Sequence, residues 1–219
     1  MRMRIRIRVK MMRIKLFRWI VALTLVFAVG ALLAGCGTGG GTATKKESTA
    51  LDEEETATMA EKTVIEITME NGGMIDVELD PEAAPITVAN FLKLVDEDFY
   101  DGLTFHRIIP HFMIQGGDPK GTGTGGSDEK IKGEFADNGW ENPISHERGV
   151  ISMARSNDPN SASSQFFITN DDKDYLDGQY AAFGRVISGM DVVDAISAVP
   201  TDADDRPLDP VVIKTIRRK

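Results

Sequence analysis

The chain has 219 residues, and its 25 lysines and arginines against 34 aspartates and glutamates give a formal net charge of −9. Residues 1–35 hold eight basic residues and no acidic one, so residues 36–219 carry 17 basic against 34 acidic residues. Nonspecific affinity for nucleic acid comes from lysines and arginines that displace counterions from phosphates. The acidic charge of residues 36–219 therefore excludes DNA or RNA binding as the main activity.

The first 35 residues have the order of a secretory signal, in which basic residues precede an uncharged stretch (19–32) and the sequence LAGC at 33–36. As a helix rising ~1.5 Å per residue, the uncharged stretch covers about 21 Å of the ~30 Å hydrocarbon core, so a permanent membrane-spanning helix is the weaker alternative. The LAGC sequence resembles the lipobox of bacterial lipoproteins, whose cysteine becomes the lipidated first residue. We therefore predict a signal peptide over 1–35, lipidation of Cys36, and a membrane-anchored location outside the cytoplasm, at the cell surface or on the periplasmic side. The alternative is an incidental free cysteine behind an uncleaved anchor.

Residues 36–62 are predicted to form a disordered tether behind the lipidated cysteine. After Cys36 they are rich in Gly, Thr and charge and contain no aromatic residue, so they cannot bury enough apolar surface to offset the ordering entropy. Cys36 is the only cysteine, which excludes disulfides, a thiol nucleophile and a cysteine-based zinc site. The acidic run at 52–55 is interpreted as a solvated spacer.

Residues 63–219 are predicted to be one folded domain that opens with a β-hairpin. Apolar and polar residues alternate over Thr63–Glu70 and Met74–Leu79, and Asn-Gly-Gly lies between them. Apolar residues at helical spacing predict a helix over Thr87–Val95 and a second over Asp191–Val199.

Short strand-like runs occupy much of the remaining domain. They are Leu103–Ile109, Phe112–Gln115, Val150–Ala154, Gln165–Thr169, Ala181–Val186 and Val211–Ile216. Many short strands, glycine-rich turns and only two helices predict a mainly β fold, a closed eight-stranded antiparallel barrel capped by two α-helices.

The segment GTGTGG places Gly121, Gly123 and Gly126 at the G-x-G-x-x-G spacing of nucleotide-binding loops. The short polar sequence behind it offers no helix to hold a pyrophosphate, so a tight or flexible loop beside a cleft is the better interpretation. The histidines, His106, His111 and His146, share no helical spacing and no cluster of carboxylates, so we predict no metal site.

Two stretches carry a family resemblance: FHRIIPHFMIQGGD at 105–118 and ISMARSNDPNSASSQFFIT at 151–169. Together with GTGG at 123–126, LDGQYAAFGRVISGMDVV at 176–193 and a closing VVIKTI, they resemble the cyclophilins, peptidyl-prolyl cis/trans isomerases, of the bacterial single-domain type. From residues 105–118 alone, Arg107 could equally be a surface arginine. The resemblance implies an enzyme without cofactor or metal, acting as a monomer on proline-containing polypeptides during the folding of exported proteins.

The resemblance also implies the site residues. Arg107 would donate to the prolyl nitrogen, with Gln115 to orient it, above a proline pocket of Phe112, Met113, Phe167 and Leu176. The further substrate-binding residues would be Gly123, Ala154, Arg155, Gln165 and Tyr180, with Ala154 and Arg155 acting through their backbone. Strand alternation points Phe105 and Phe166 away from this pocket, into the core.

This sequence departs from the family pattern near the pocket rim. Tyr175 stands where cyclosporin-sensitive cyclophilins carry a tryptophan, Tyr180 where many relatives have histidine, and Arg155 where asparagine is common. A second hypothesis keeps the same barrel as a proline-recognising binding module or holdase in which turnover is incidental. A third, an ATP- or NAD-dependent enzyme, rests on the glycine loop alone.

Overall fold

The strands of the folded domain follow the alternation of apolar and polar residues in the sequence. The computed structural model describes residues 62–219, so the predicted signal peptide, Cys36 and nearly all of the tether lie outside the described residues. The strands are β1 (Thr63–Met69), β2 (Met74–Leu79), β3 (Arg107–Ile109), β4 (Met113–Gly116), β5 (Val150–Met153), β6 (Phe166–Thr169), β7 (Ala182–Ser188) and β8 (Ile213–Arg218).

All eight strands form one antiparallel sheet in the order β3-β4-β6-β5-β7-β2-β1-β8. The predicted hairpin is confirmed as β1 and β2, which pair from Thr63 with Leu79 to Thr68 with Met74. The mainly β fold with two helices is confirmed as well.

The prediction of a closed barrel is wrong, because the sheet is a curled half-barrel that stays open between its edge strands β3 and β8. The predicted strand Leu103–Ile109 is ordered as a strand only from Arg107. Across the gap there is one isolated bridge, Thr104 with Val212, and a few backbone hydrogen bonds such as Phe105 N to Val211 O at 3.0 Å. These segments run side by side for too few residues to form a ladder.

A row of four isoleucines crosses the concave inner face of the sheet, and we call it the inner row. Ile108 pairs with Ile114, Ile114 with Ile168, and Ile168 with Ile151, each of them fully buried. The core also contains an aromatic cluster around Phe166, whose ring meets those of Phe91, Tyr100 and Phe105 edge-on at centroid distances of 5.6, 5.7 and 6.0 Å. Phe105 and Phe166 are completely buried, which confirms that they are core residues.

Helix α1 (Pro85–Asp96) buries the predicted face formed by Val88, Phe91, Leu92 and Val95. Pro85 lies in its first turn, where a missing N–H costs nothing. The next two amides, of Ile86 and Thr87, donate to Glu134 Oε1 and Oε2 at 3.0 and 2.8 Å, so a fully buried carboxylate caps the helix from a distant loop.

Helix α2 (Met190–Ser197) presents Val193 and Ile196 to the core, as the spacing predicts. Gly189 precedes it at φ +87°, where a Cβ would lie 2.2 Å from the Met74 carbonyl oxygen, so only glycine fits. Neither helix in this part of the chain is long and apolar enough to cross a membrane.

Candidate active site

The convex outer face of strands β3, β4, β6 and β5 carries a second row of side chains. Each member of this row is the sequence neighbour of a member of the inner row. Arg107 pairs with Gln115, Gln115 with Phe167, and Phe167 with Ser152. Directly opposed residues of antiparallel strands share a face, so these four side chains form what we call the outer row. The strand pairing therefore brings the two predicted polar catalytic residues and a predicted pocket residue together.

A small apolar cluster surrounds the outer row and is separate from the main core. Met113, Phe167 and Leu176 are its buried members, and Ile109, Phe112, Ala154 and Tyr180 pack against them. A cavity of about 190 Å³ opens above this cluster. It is lined by Arg107, Phe112, Met113, Gln115, Ala154, Arg155, Phe167, Leu176 and Tyr180. Its size and apolar floor suit a single proline ring.

Arg107 is held by one carboxylate that sequence reasoning missed. Its Nε lies 3.4 Å from Asp205 Oδ2, and the two side chains are 43% and 41% exposed. The Ile108 amide donates to the Asp205 carbonyl oxygen at 2.8 Å, which ties this loop to β3. Within residues 62–219 the terminal guanidinium nitrogens of Arg107 donate to no protein atom. They are thus available to a ligand in the cavity.

A second, larger cavity of about 510 Å³ adjoins the first and shares Gln115, Ala154 and Arg155 with it. The remaining predicted site residues, Gly123 and Gln165, line this neighbour together with the glycine loop. Every predicted site residue of the folded domain therefore borders one of two connected cavities. Cys36, predicted to be lipidated, lies outside the described residues.

Arg155, predicted to act through its backbone, packs its side chain against aromatic rings at the site. Its guanidinium lies 4.7 Å from the ring centroid of Tyr180 and 5.1 Å from that of Phe135, and its Nε donates to the Gln179 carbonyl oxygen at 2.9 Å. The Tyr180 ring in turn meets Phe167 edge-on at 5.8 Å. Tyr175 lies at the rim, 58% exposed, with its ring 6.2 Å from that of Phe112.

Three polar residues support the pocket floor from below, and two of them, His146 and Ser152, are buried while Asp177 is exposed. The ring of His146 stacks on Phe167 at 6.1 Å, its Nδ1 lies 2.7 Å from Asp177 Oδ1, and its Nε2 lies 3.0 Å from Ser152 Oγ. Burial lowers the pKa of His146, although the hydrogen bond with Asp177 raises it. An ionised carboxylate only accepts, so Nδ1–H donates to Asp177 and Nε2 accepts from Ser152. These residue types match a hydrolase triad, but Ser152 is fully buried and has no access to substrate.

His106 and His111 do not form a metal site with His146. Burial lowers the pKa of His106, which lies beside the glycine loop with both ring nitrogens unpartnered among the described residues. His111 is in the turn between β3 and β4 at φ +58°. Across residues 62–219 no three His, Cys, Asp or Glu side chains are grouped closely enough to hold a metal ion.

Sequence reasoning missed Asp205, Asp177 and the supporting role of His146. Asp205 is separated from Arg107 by 98 residues and Asp177 from His146 by 31, so no local spacing joins either pair. The sequence gives only a weak signal for either aspartate. Each lies in a turn-rich segment, where aspartates commonly hydrogen-bond to the nearby backbone.

The curled antiparallel sheet and the apolar cavity beneath an arginine define a class, that of the proline-directed isomerases with a cyclophilin architecture. Comparison with known proteins gives the family. The model for "Cyclophilin type peptidyl-prolyl cis-trans isomerase/CLD" matches residues 64–218, and the chain belongs to this family.

Individual relatives agree with this family. The chain is 46% identical over 146 residues to peptidyl-prolyl cis-trans isomerase ppi1 of Schizosaccharomyces pombe, a match that covers 66% of this chain and 92% of that protein. It is 51% identical over 123 residues to peptidyl-prolyl cis-trans isomerase B of Bacillus subtilis, covering 56% and 82%. A crystal structure of a Cryptosporidium parvum cyclophilin-type isomerase superposes with a TM-score of 0.67 at 32% identity, covering 73% of this chain and 98% of that one.

The predicted family and enzyme class are confirmed: the chain is a cyclophilin-type peptidyl-prolyl cis-trans isomerase. The hypothesis of an ATP- or NAD-dependent enzyme is set aside, because that family accounts for residues 64–218, which include the glycine loop.

Proposed function

We propose that Arg107 catalyses the isomerisation by donating a hydrogen bond to the prolyl nitrogen as the peptide bond twists. Resonance in a peptide bond sets a rotation barrier of about 18–20 kcal/mol, and X–Pro bonds take tens to hundreds of seconds to isomerise unaided. Twisting breaks the resonance and localises an electron pair on the nitrogen. A donor directed at that nitrogen stabilises the twisted state over both planar ones.

The arrangement of the outer row supports this role. The apolar cluster of Met113, Phe167 and Leu176 would hold the proline ring, while Arg107 and Gln115 stand beside it on neighbouring strands. The bond to Asp205 uses Nε of Arg107 and leaves the terminal nitrogens for the substrate. A guanidinium keeps its charge throughout the physiological pH range, so this donor needs no partner for proton transfer.

The neighbouring cavity is the proposed site for residues that precede the proline. The Ala154 amide already donates to the Gln165 carbonyl oxygen at 2.9 Å, so the Ala154 carbonyl is the backbone group left for the substrate. Gln165 and Gly123 would contact the chain further from the proline. The observation that carries the whole assignment is the placement of Arg107 at the edge of the apolar cavity.

The test compares Arg107→Ala and Arg107→Lys with the wild type in a protease-coupled assay on a proline peptide. Loss of a transition-state donor is worth about 10²–10³ in rate, so Arg107→Ala should lose that much kcat/KM. Arg107→Lys keeps the charge but not the planar fork, and should recover only part of it. Arg148→Ala removes a comparably exposed arginine, paired with Asp194, and serves as the control.

An Arg107→Ala variant as active as the Arg148→Ala control would refute the mechanism. Arg107→Ala keeps the apolar cavity, so it should still bind the peptide while failing to isomerise it. That result, beside an active wild type, would favour the isomerase over the binding module. A wild type that binds but isomerises no faster than Arg107→Ala would instead favour the binding module.

We further propose that the isomerase acts outside the cytoplasm as a monomeric, lipid-anchored protein of the bacterial single-domain type. Support comes from the sequence: the signal-like residues 1–35, Cys36 at the end of LAGC, and a polar stretch that would serve as a tether to the domain. Its substrates would be exposed X–Pro bonds in exported proteins during folding. The acidic body matches a polypeptide substrate better than a nucleic acid.

The anchor is tested on the full chain expressed in a bacterium and labelled metabolically with an alkyne fatty acid. The wild type should incorporate label and partition into detergent, whereas Cys36→Ser should do neither. Ser48→Ala, a change in the same polar stretch, should behave as the wild type. Equal labelling of wild type and Cys36→Ser would overturn the anchor without affecting the mechanism proposed for Arg107.

A further inference from the structure

One buried carboxylate beside the site touches neither cavity. Asp118 follows β4 and is 1% exposed. Its Oδ1 accepts the Lys120 amide at 2.8 Å, and its Oδ2 accepts the amides of Thr122, Gly123 and Gly125 at 3.0, 2.7 and 3.1 Å. Burial raises the pKa of Asp118, but these backbone amides outweigh it and hold the pKa below its ordinary value. The carboxylate is therefore a fixed, charged centre around which the loop is wound.

The glycine spacing of this loop fits the carboxylate. Gly121 and Gly123 have φ of +62° and +81°, which favours glycine, and a Cβ on Gly125 would lie 2.0 Å from Asp118 Oδ1. The amides of Gly121 and Thr124 donate to the Asp118 carbonyl oxygen and to Thr122 Oγ1, so every amide from 120 to 125 is used inside the loop. A phosphate-binding loop directs such amides outward at its ligand, whereas this one directs them at its own aspartate.

A chain of hydrogen bonds leads from this loop to the outer row. The Gly125 carbonyl oxygen accepts from Gln165 Nε2 at 2.7 Å, and Gln165 Oε1 accepts from Gln115 Nε2 at 2.8 Å. A main-chain carbonyl can only accept, so Gln165 must donate to it and must turn its own oxygen to Gln115. Gln115 must then donate in turn, which leaves its Oε1 as an acceptor on the row it shares with Arg107.

We propose that Asp118 is a positioning residue of the isomerase. By fixing the loop it places the Gly125 carbonyl, which orients Gln165 and through it Gln115 beside Arg107. This inference rests on the proposed roles of Arg107 and Gln115. It assigns a function to the glycine motif without any nucleotide, and it makes the wall of the larger cavity and the orientation of Gln115 depend on one buried carboxylate.

The first test measures kcat and KM separately for Asp118→Ala and Asp118→Asn. A misplacement of about 1 Å at a reacting group can cost up to 10²-fold, so we expect Asp118→Ala to lose about 10- to 100-fold in kcat/KM, part of it in kcat. Asp118→Asn keeps one acceptor oxygen, so its kcat/KM should lie between those of the wild type and Asp118→Ala. It also provides a milder change should the alanine variant not fold. The matched control is Asp80→Ala, since Asp80 Oδ1 also accepts two turn amides, of Glu82 and Ala83, at 3.1 Å but lines neither cavity.

The second test separates positioning from general loss of structure. In a Gln165→Ala background the relay is already broken, so Asp118→Ala should lower kcat/KM less than twofold further, whereas independent effects would multiply. The side-chain amide signals of Gln115 and Gln165 in ¹⁵N–¹H spectra should shift in Asp118→Asn and stay in place in Asp80→Ala.

Unshifted glutamine signals in Asp118→Asn, or effects that multiply in the double variant, would overturn the relay. Full activity of Arg107→Ala would refute the proposed mechanism instead. The glutamine signals still test the relay in that case, because they do not depend on turnover.

Discussion

The inner and outer rows cross the same four strands one residue apart, yet their compositions have nothing in common. The inner row is four fully buried isoleucines, and the outer row is Arg107, Gln115, Phe167 and Ser152. Because side chains alternate along a strand, a slip of one residue would exchange the two faces. The isoleucine row therefore fixes the register that assembles the proposed site, so the same strands carry stability on one face and chemistry on the other.

The two rows also differ in how they are completed. The inner row needs only apolar neighbours from α1 and the aromatic cluster around Phe166. The outer row depends on polar groups from separate loops, namely Asp205 beside Arg107, His146 under Phe167, and Gln165 beside Gln115. We expect changes in the inner row to lower stability and changes in the outer row and its loops to lower activity.

The largest expected loss of stability is that of Ile168→Ala, in the middle of the inner row. Removing a buried isoleucine side chain costs about 2–5 kcal/mol, from lost transfer free energy and the cavity left behind. The free energy of unfolding from urea titration should fall by that amount, while kcat/KM per folded molecule should stay within about threefold. A normal stability, or a loss of activity in fully folded protein, would break the separation of the two faces.

A smaller loss is expected for Glu134→Gln, a change in the distant loop residue that caps the start of α1. The variant keeps an acceptor for one of the two helix amides but turns its own NH2 donor toward the other, at a side chain that is fully buried. Leaving buried polar groups unsatisfied costs about 1–3 kcal/mol. Urea denaturation should show this loss with kcat/KM unchanged. A fall in activity at full stability would mean that α1 acts on the outer face.

The pH dependence of the free energy of unfolding should reveal the protonation of the two buried histidines, His106 and His146. Burial lowers the pKa of both His106 and His146 in the folded protein, so the unfolded chain binds more protons below the ordinary value of 6.5. The stability that the neutral histidines contribute is fully present above pH 6.5 and is lost as the pH falls through their folded pKa values. The loss in the free energy of unfolding is about 1.4 kcal/mol for each unit by which the folded pKa lies below the unfolded one. Aspartates with a lowered pKa, such as Asp177, act in a lower window, below their ordinary value of 3.8.

The measurement is the urea midpoint of the wild type and of His146→Gln between about pH 7.5 and 5. We expect the wild type to lose stability over this interval and the variant to lose less, because one of the two titrating imidazoles is gone. Parallel curves for the two proteins would contradict the assignment of a neutral His146 beneath Phe167.

The smallest effect is expected for Asp205→Asn. The pair with Arg107 is long, at 3.4 Å, and close to half exposed, and such pairs are worth about 0.2–1 kcal/mol. The variant should therefore lower the free energy of unfolding by no more than about 1 kcal/mol, and kcat/KM by no more than about fivefold. A loss as large as that of Arg107→Ala would show that Asp205 acts on the substrate itself.

Local pattern predicted the elements better than their closure. The β1–β2 hairpin and the buried faces of both helices follow from spacing alone. Many short strands, glycine-rich turns and only two helices predict a closed barrel, with strand-like runs at Leu103–Ile109 and Val211–Ile216. In the structure the chain at 102–106 divides its backbone hydrogen bonds between residues 211–213, where β8 begins, and Gln115 on β4, for example His106 N to Gln115 O at 3.0 Å.

The residues that the family resemblance predicts for the site all line one of the two cavities, but the groups behind them were not predictable from spacing. Asp118 ends the 105–118 stretch that carries the resemblance, yet its partners are backbone amides, which no residue type reveals. His146 and Asp177 meet only because the fold brings their loops together beneath Phe167. The resemblance predicts a backbone role for Arg155, and the packing of its guanidinium on Tyr180 is a feature that the resemblance does not predict.

The most direct test of the central claim is exchange NMR on a proline peptide with a small amount of the folded domain. The spectrum reports the cis-to-trans rate without a coupling protease, and titration reports binding in the same sample. We predict that the wild type produces exchange cross-peaks and that Arg107→Ala, equally stable and still bound to the peptide, slows the exchange by about 10²–10³. Equal exchange rates for the two proteins would contradict the account.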